Sequence, residues 1–235
     1  MRKGLVLLIW FFVLALSGMA QAAGMSVDQV LDRMAESSAR LEDMQADFVQ
    51  TKIMTVFDEK IVSSGKFYFR NPDKLVLDTQ SPEHQQLIIN HNRGWLHYPD
   101  LKQVHEFSVK QAKDMSALFV GFGGSAARIR EQFQVSLESR QRESSGAELI
   151  TLGLVPIQGA SAASPVLGIQ KVLLTVTEGR WYPVRTEIVQ TNGDRSIYEY
   201  SSHRLNPKIA ESRFTFRVPD GTKVIQHNQE SGVSQ

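Results

Sequence analysis

The chain has 235 residues, a formal net charge of +1 and no cysteine. Balanced charge without a basic block argues against a nucleic-acid partner, and the missing thiols exclude disulfides and thiolate metal sites. A chain of this length can be held by an apolar core alone, in one domain.

It opens MRKGLVLLIWFFVLALSGMAQAAG. Arg2 and Lys3 precede an apolar run from Leu5 to Leu16, and Ala20-Gln21-Ala22 is a small-x-small cleavage site. This is the pattern of a secretory signal peptide over residues 1–22. The run is shorter than the roughly 20 residues that cross a bilayer core; an uncleaved anchor is the alternative. Losing Arg2 and Lys3 takes the charge from +1 to −1. Residues 23–235 are expected as a single domain outside the cytoplasm. A lipobox needs a cysteine at the cleavage site, so no lipid anchor is expected on the mature chain.

Ser26-Val27-Asp28-Gln29 fits a capping box. Val27, Val30, Leu31, Met34, Ala35, Leu41 and Met44 then recur at spacings of three and four, which predicts one amphipathic helix of about 18 residues. Its apolar stripe calls for a flat apolar partner. The period changes to two at ADFVQTKIMTVF, and IVSSGKFYFRN, KLVLDT, QQLIINH and GWLHYP follow after short turns. Such short connections leave no room for crossover helices, so antiparallel neighbours are expected. AKDMSALFVGFGGSAARIREQF interrupts the strands and reads as two short helices broken at Gly123-Gly124. QVSLESRQR, ELITLGLVP, KVLLTVTEG, YPVRTEIVQ, RSIYEYSSH and RFTFRVP resume them, with Asn192-Gly193 as a hairpin turn and PIQGASAASPVLG as an irregular loop. The count is about ten or eleven strands, and an antiparallel sheet of that size tends to curl. The expected fold is mainly β with helices: a strongly curved antiparallel sheet forming an incomplete β-barrel, covered by a helical lid with a space beneath.

Chemistry is sparse. His84, His91, His97, His105, His203 and His227 show no metal-ligand spacing and read as surface positions near turns. GFGGSAARIR lacks both the G-x-S-x-G elbow and the G-K-[ST] of a phosphate loop. Asp47, Asp78, Glu187 and Glu199 fall at alternating strand sites and read as solvated, unpaired for acid–base work. No enzyme, no cofactor and no metal are expected. Apolar surface is what remains: a curved sheet under helices can enclose more lining than its own side chains fill.

The order of motifs resembles the periplasmic outer-membrane lipoprotein carrier family (LolA-like), over roughly Val27 to Val224. The residues that carry the likeness are ADFVQTK after the first helix, SSGKFYFRNPDKL, LIINHNRGWLHYPDLKQV, and the tail from GIQKVLLTV to PDGTKV. In that tail Phe214, Phe216, Pro219, Gly221 and Val224 match an F-x-F-x-x-P-x-G-x-x-V ending.

The resemblance implies a periplasmic chaperone without enzymatic activity. It would shield the acyl chains of lipoproteins, accept them from an inner-membrane ABC exporter complex and pass them to an outer-membrane lipoprotein receptor. A carrier of the same fold for another lipid or acylated cargo, beside a different exporter, is the alternative. Contact with two transient partners favours a monomer. The expected cargo lining is Leu31, Met34, Phe48, Phe67, Phe69, Leu75, Leu77, Ile88, Leu118, Phe119, Phe122 and Phe216, with Phe214 and Phe216 facing the interior from the last strand. The best-known carriers place a latch arginine soon after the hairpin proline. The matching position here is Val76, so the lid is expected to be held by apolar contact alone; Lys74, on the same strand face, substituting as the lid contact is the alternative.

Overall fold

The computed structural model describes residues 24–108, 121–122, 126–144, 146–157 and 168–227. The signal-peptide reading, Leu118, Phe119 and most of the PIQGASAASPVLG loop lie outside them.

Helix α1 spans Val27–Ala39. The capping box forms as read: the Gln29 N–H donates to Ser26 Oγ at 3.2 Å, and the Ser26 N–H donates to Gln29 Oε1 at 2.8 Å. The helix is shorter than its apolar spacing suggests, because Arg40 caps it and the chain is already extended at Asp43. Met44 therefore belongs to the first strand, where it joins the inner cluster beside the one that the helix covers.

Six strands follow: β1 (Asp43–Met54), β2 (Glu59–Arg70), β3 (Lys74–Ser81), β4 (Gln85–Asn90), β5 (Arg93–Tyr98) and β6 (Gln103–Ser108). Helix α2 (Ala126–Gln132) leads into β7 (Phe133–Arg142), β8 (Glu148–Pro156), β9 (Ile169–Thr177), β10 (Pro183–Gln190) and β11 (Arg195–Leu205). The expected turn closes the β10–β11 hairpin, with Gly193 at φ +87°, a backbone region that only glycine adopts freely. A 3-10 turn at Glu211–Arg213 and strand β12 (Lys223–His227) complete the described chain.

All twelve strands form one sheet, in the order β12-β6-β5-β4-β3-β2-β1-β11-β10-β9-β8-β7. Two meanders, β1 to β6 and β7 to β11, meet where β1 pairs antiparallel with β11. Every pairing is antiparallel except β12 with β6.

This order corrects the expected incomplete barrel. The sheet is open and mostly antiparallel, and among the described residues its edge strands β7 and β12 pair with neighbours on one side only. The last strand lengthens the sheet at β6 and does not return toward β7. The physical reason lies in what covers the apolar faces. Curling is the solution when a sheet must bury one face against itself. Here helix α1 covers one face, and a C-terminal strap covers part of the other.

The inner face runs through the register. Phe67 pairs with Leu77 and Phe69 with Leu75 across β2 and β3, and Phe48 pairs with Tyr200 across β1 and β11. Farther along, Tyr198, Thr186, Leu174 and Leu152 stand opposite one another from β11 to β8. Their side chains alternate with those of the outer face, as the period of two requires. On the outer face Tyr68, Val76, Ile88, Trp95 and Val104 form a separate cluster, closed by Phe214.

The segment RFTFRVP, read as the last strand, is that closure. Residues 207–216 cross the outer face as a strap, not as a paired strand. The buried Asp43 carboxylate accepts from the backbone N–H groups of Lys208 at 3.2 Å and Ile209 at 2.8 Å. The Arg70 guanidinium donates to Glu211 at 2.6 Å and lies 4.9 Å from the Phe214 ring centre.

Candidate functional site

Val30 and Leu31, with Met34 a turn later on the same side of α1, pack onto Ile150, Leu152, Val172, Leu174 and Val176 of the inner face. Beside them lies a second inner cluster containing Phe48, Phe67, Phe69, Leu75, Leu77, Tyr198 and Tyr200. Its remaining aromatic ring, Phe122, comes from a turn between β6 and α2. The Phe122 ring centre lies 4.7 Å from Phe67, 5.2 Å from Tyr200 and 6.2 Å from Phe69.

Gly121 makes that insertion feasible. Its φ is +88°, and a Cβ there would lie 2.7 Å from Pro183 Cγ, closer than real contacts allow. The Phe122 ring thus fills space that the strands do not fill themselves.

The carboxyl end of α1 is tied down by polar contacts. Ser37 Oγ donates to the Arg180 carbonyl at 3.0 Å, and Ser38 Oγ donates to the Phe122 carbonyl at 2.9 Å. Asn71 Nδ2 donates to the carbonyls of Ser38 at 3.3 Å and Leu41 at 3.1 Å, and Asn206 Nδ2 donates to the Arg40 carbonyl at 3.1 Å. A helix leaves its last four carbonyls without intrahelical partners; Asn71 meets that of Ser38, and the carbonyls of Arg40 and Leu41 just beyond the helix are met by Asn206 and Asn71. At the other end the Arg130 guanidinium of α2 bonds Asp28 at 2.7 Å and Asp32 at 3.3 Å.

The helix is therefore not held by apolar contact alone, and its polar contacts lie elsewhere than at Val76 and Lys74. Both of those face outward. Val76 is buried against the strap side of the sheet, and Lys74 pairs with Glu211. Asn71, before the hairpin proline, is the β2–β3 residue that reaches α1.

The residues expected to line one space divide among three places. Leu31 and Met34 pack in the α1 cluster, while Phe48, Phe67, Phe69, Leu75, Leu77 and Phe122 share the adjoining inner cluster. Ile88 and Phe216 lie on the opposite face, Phe216 with its ring 5.8 Å from Trp95 and 5.3 Å from His97. Alternation along β4 decides this: Ile88 stands opposite Val76, and both point away from Leu75 and Leu77.

Three polar residues read as surface groups are buried. Asp78 holds Gln86 at 3.0 Å and His84 at 3.2 Å. Glu187 is gripped by Arg185 at 2.6 Å and by Arg195. His97 packs beneath Phe216, and burial lowers its pKa. Burial pushes Tyr198 up to about 12 and Tyr200 higher still, so both rings are neutral hydroxyls within the inner cluster. Among the described residues no group of three or more histidines, aspartates or glutamates is placed to hold a metal ion.

An open sheet with an apolar face under a tethered helix and an inserted aromatic ring defines a protein built around a covered apolar surface. The chain belongs to the family described as outer membrane lipoprotein carrier protein LolA, whose profile matches residues 39–217. That family comprises periplasmic carriers without catalytic activity, and the chain is periplasmic. It is 27% identical to the outer-membrane lipoprotein carrier protein of Methylibium petroleiphilum over 225 residues, covering 96% of this chain and 99% of that one. It is 26% identical to the carrier of the same description from Azotobacter vinelandii over 229 residues, covering 96% of this chain and all of the other. Among solved structures it is similar in fold to an uncharacterized conserved protein from Thermus thermophilus, with a TM-score of 0.54 and 14% identity over 86% of this chain and all of that one.

Proposed function

We propose that the protein carries acylated lipoproteins across the periplasm, with their acyl chains laid on the inner face between α1 and the sheet. One observation carries this reading: the centre of the inner cluster is filled by Phe122, a ring delivered from a turn outside the sheet. Withdrawing that turn exposes Phe67, Phe69 and Tyr200 without breaking a single strand pairing. Each methylene placed there gains about 0.8 kcal/mol, so acyl chains can compete with the ring. The few hydrogen bonds at the end of α1 contribute about 1 kcal/mol each, a hold strong enough to close the face and weak enough to release. Cargo would be received from an inner-membrane ABC exporter complex and passed to an outer-membrane lipoprotein receptor, as the resemblance and the family membership both suggest.

Native mass spectrometry of the mature protein, purified from periplasm without detergent, tests the reading. A population heavier by an intact triacylated lipoprotein supports it. A bare mass alone, after expression alongside abundant lipoproteins, contradicts it.

A further inference from the structure

A cavity of about 430 Å³ opens where the end of α1 meets the turn between β9 and β10. Leu41, Phe122, Trp181 and Tyr182 line its apolar side. At its rim stand Arg33 and Arg40 from α1 and Arg180 from the turn, with Glu36 the one acid among the described lining residues. Arg33 and Glu36 neutralise each other at 3.1 Å. Two positive charges are left over.

Many arginines elsewhere have carboxylate partners: Arg70 has Asp43 and Glu211, Arg130 has Asp28 and Asp32, Arg140 has Glu148, and Arg185 and Arg195 share Glu187. Arg142, Arg204 and Arg217 are exposed without one among the described residues, but none of them lines this cavity, whereas Arg40 and Arg180 share its mouth. Among the described residues the guanidinium groups of Arg40 and Arg180 have no such partner. They are not needed to cap α1 either, since Asn71 and Asn206 already occupy the carbonyls at that end. Two free guanidinium groups above an apolar floor match one ligand chemistry: an acyl chain ending in an anion. A guanidinium fork binds phosphate oxygens in pairs.

We propose that this mouth holds the phosphate of a glycerophospholipid whose acyl chains enter the inner face beside Phe122. The inference rests on the reading of that face as an acyl-chain site. It adds a second cargo class to the lipoproteins, because the glyceride end of a triacylated lipoprotein carries no charge for Arg40 and Arg180 to meet.

The test compares dioctanoyl phosphatidic acid with dioctanoylglycerol, which differ only in the phosphate, by calorimetric titration of the mature protein. The Arg40→Gln/Arg180→Gln double variant is titrated in parallel, with a thermal melt to confirm folding. Wild type is expected to bind the phosphatidic acid at least about tenfold more tightly, with an advantage that shrinks as salt rises. The double variant should lose that advantage and keep its affinity for the glyceride. Equal affinities in wild type, or an advantage that survives in the double variant, overturn the phosphate site and leave the acyl-chain reading standing. Binding of neither lipid overturns both. Inorganic phosphate that displaces phosphatidic acid at equal concentration marks a site for free phosphate and also overturns the lipid assignment.

Discussion

Phe122 and Phe216 are both aromatic, both packed against other rings, and placed on opposite faces of the sheet. That placement separates two roles that composition cannot. Replacing Phe122 with Ala is expected to cost about 3–5 kcal/mol of stability by opening a cavity. It should also tighten the binding of a hydrophobic dye, because the ring that competes with cargo is gone. Phe216→Ala should lower stability by a smaller amount, the side chain being only partly buried, and leave dye binding unchanged. Urea unfolding with dye titration on both variants decides the matter, and a loss of dye affinity in Phe122→Ala would count against displacement of the ring by cargo.

At the scale of the element, α1 is a helix whose burial is one-sided and whose polar tethers sit at its ends. Asn71 bonds two carbonyls there. Asn71→Ala removes both bonds, an expected loss of about 1–2 kcal/mol. The effect should be local. Hydrogen exchange should quicken in α1, while the amides of β8 and β9 keep their protection, since the strand pairings beneath are untouched. Uniform acceleration throughout the sheet would show that α1 and the sheet open only together, which would contradict a helix that lifts to admit cargo.

For the whole molecule, acidity supplies a test of how the two faces are held. His97 on the strap side and His203 on β11 both have imidazole pKa values below the usual 6.5, in each case chiefly through burial. The folded protein therefore binds fewer protons than the unfolded chain once the pH falls below that value. Their contribution is complete above about pH 6.5 and is lost as the pH drops through the native values. The thermal midpoint should be level from about pH 8 to 7 and then decline toward about pH 5. The His97→Gln/His203→Gln variant should flatten the decline, and an equally steep profile in that variant would sink this account.

Much of the local structure follows from the sequence alone. The capping box of Ser26 and Gln29, the alternation through KFYF and KLVL, and the Asn192-Gly193 hairpin each depend on residues a few positions apart, so near neighbours suffice to specify them. RFTFRVP shows the limit. Its alternating aromatics look like a strand, yet alternation says only that Phe214 and Phe216 share a side; whether the backbone pairs depends on a neighbour that no local pattern names. The strap, the junction of β1 with β11, and the open edges at β7 and β12 all depend on which surface covers which. The site divides in the same way. Phe67, Phe69, Leu75 and Leu77 are legible as a shared face because their period is two. The latch of Ser37, Ser38, Asn71 and Asn206, and the unpaired guanidinium groups of Arg40 and Arg180, bring together residues far apart in the chain. Short-range periodicity and capping determined the elements, whereas the tertiary packing alone decided which apolar face is covered by the helix and which charges are left without a partner.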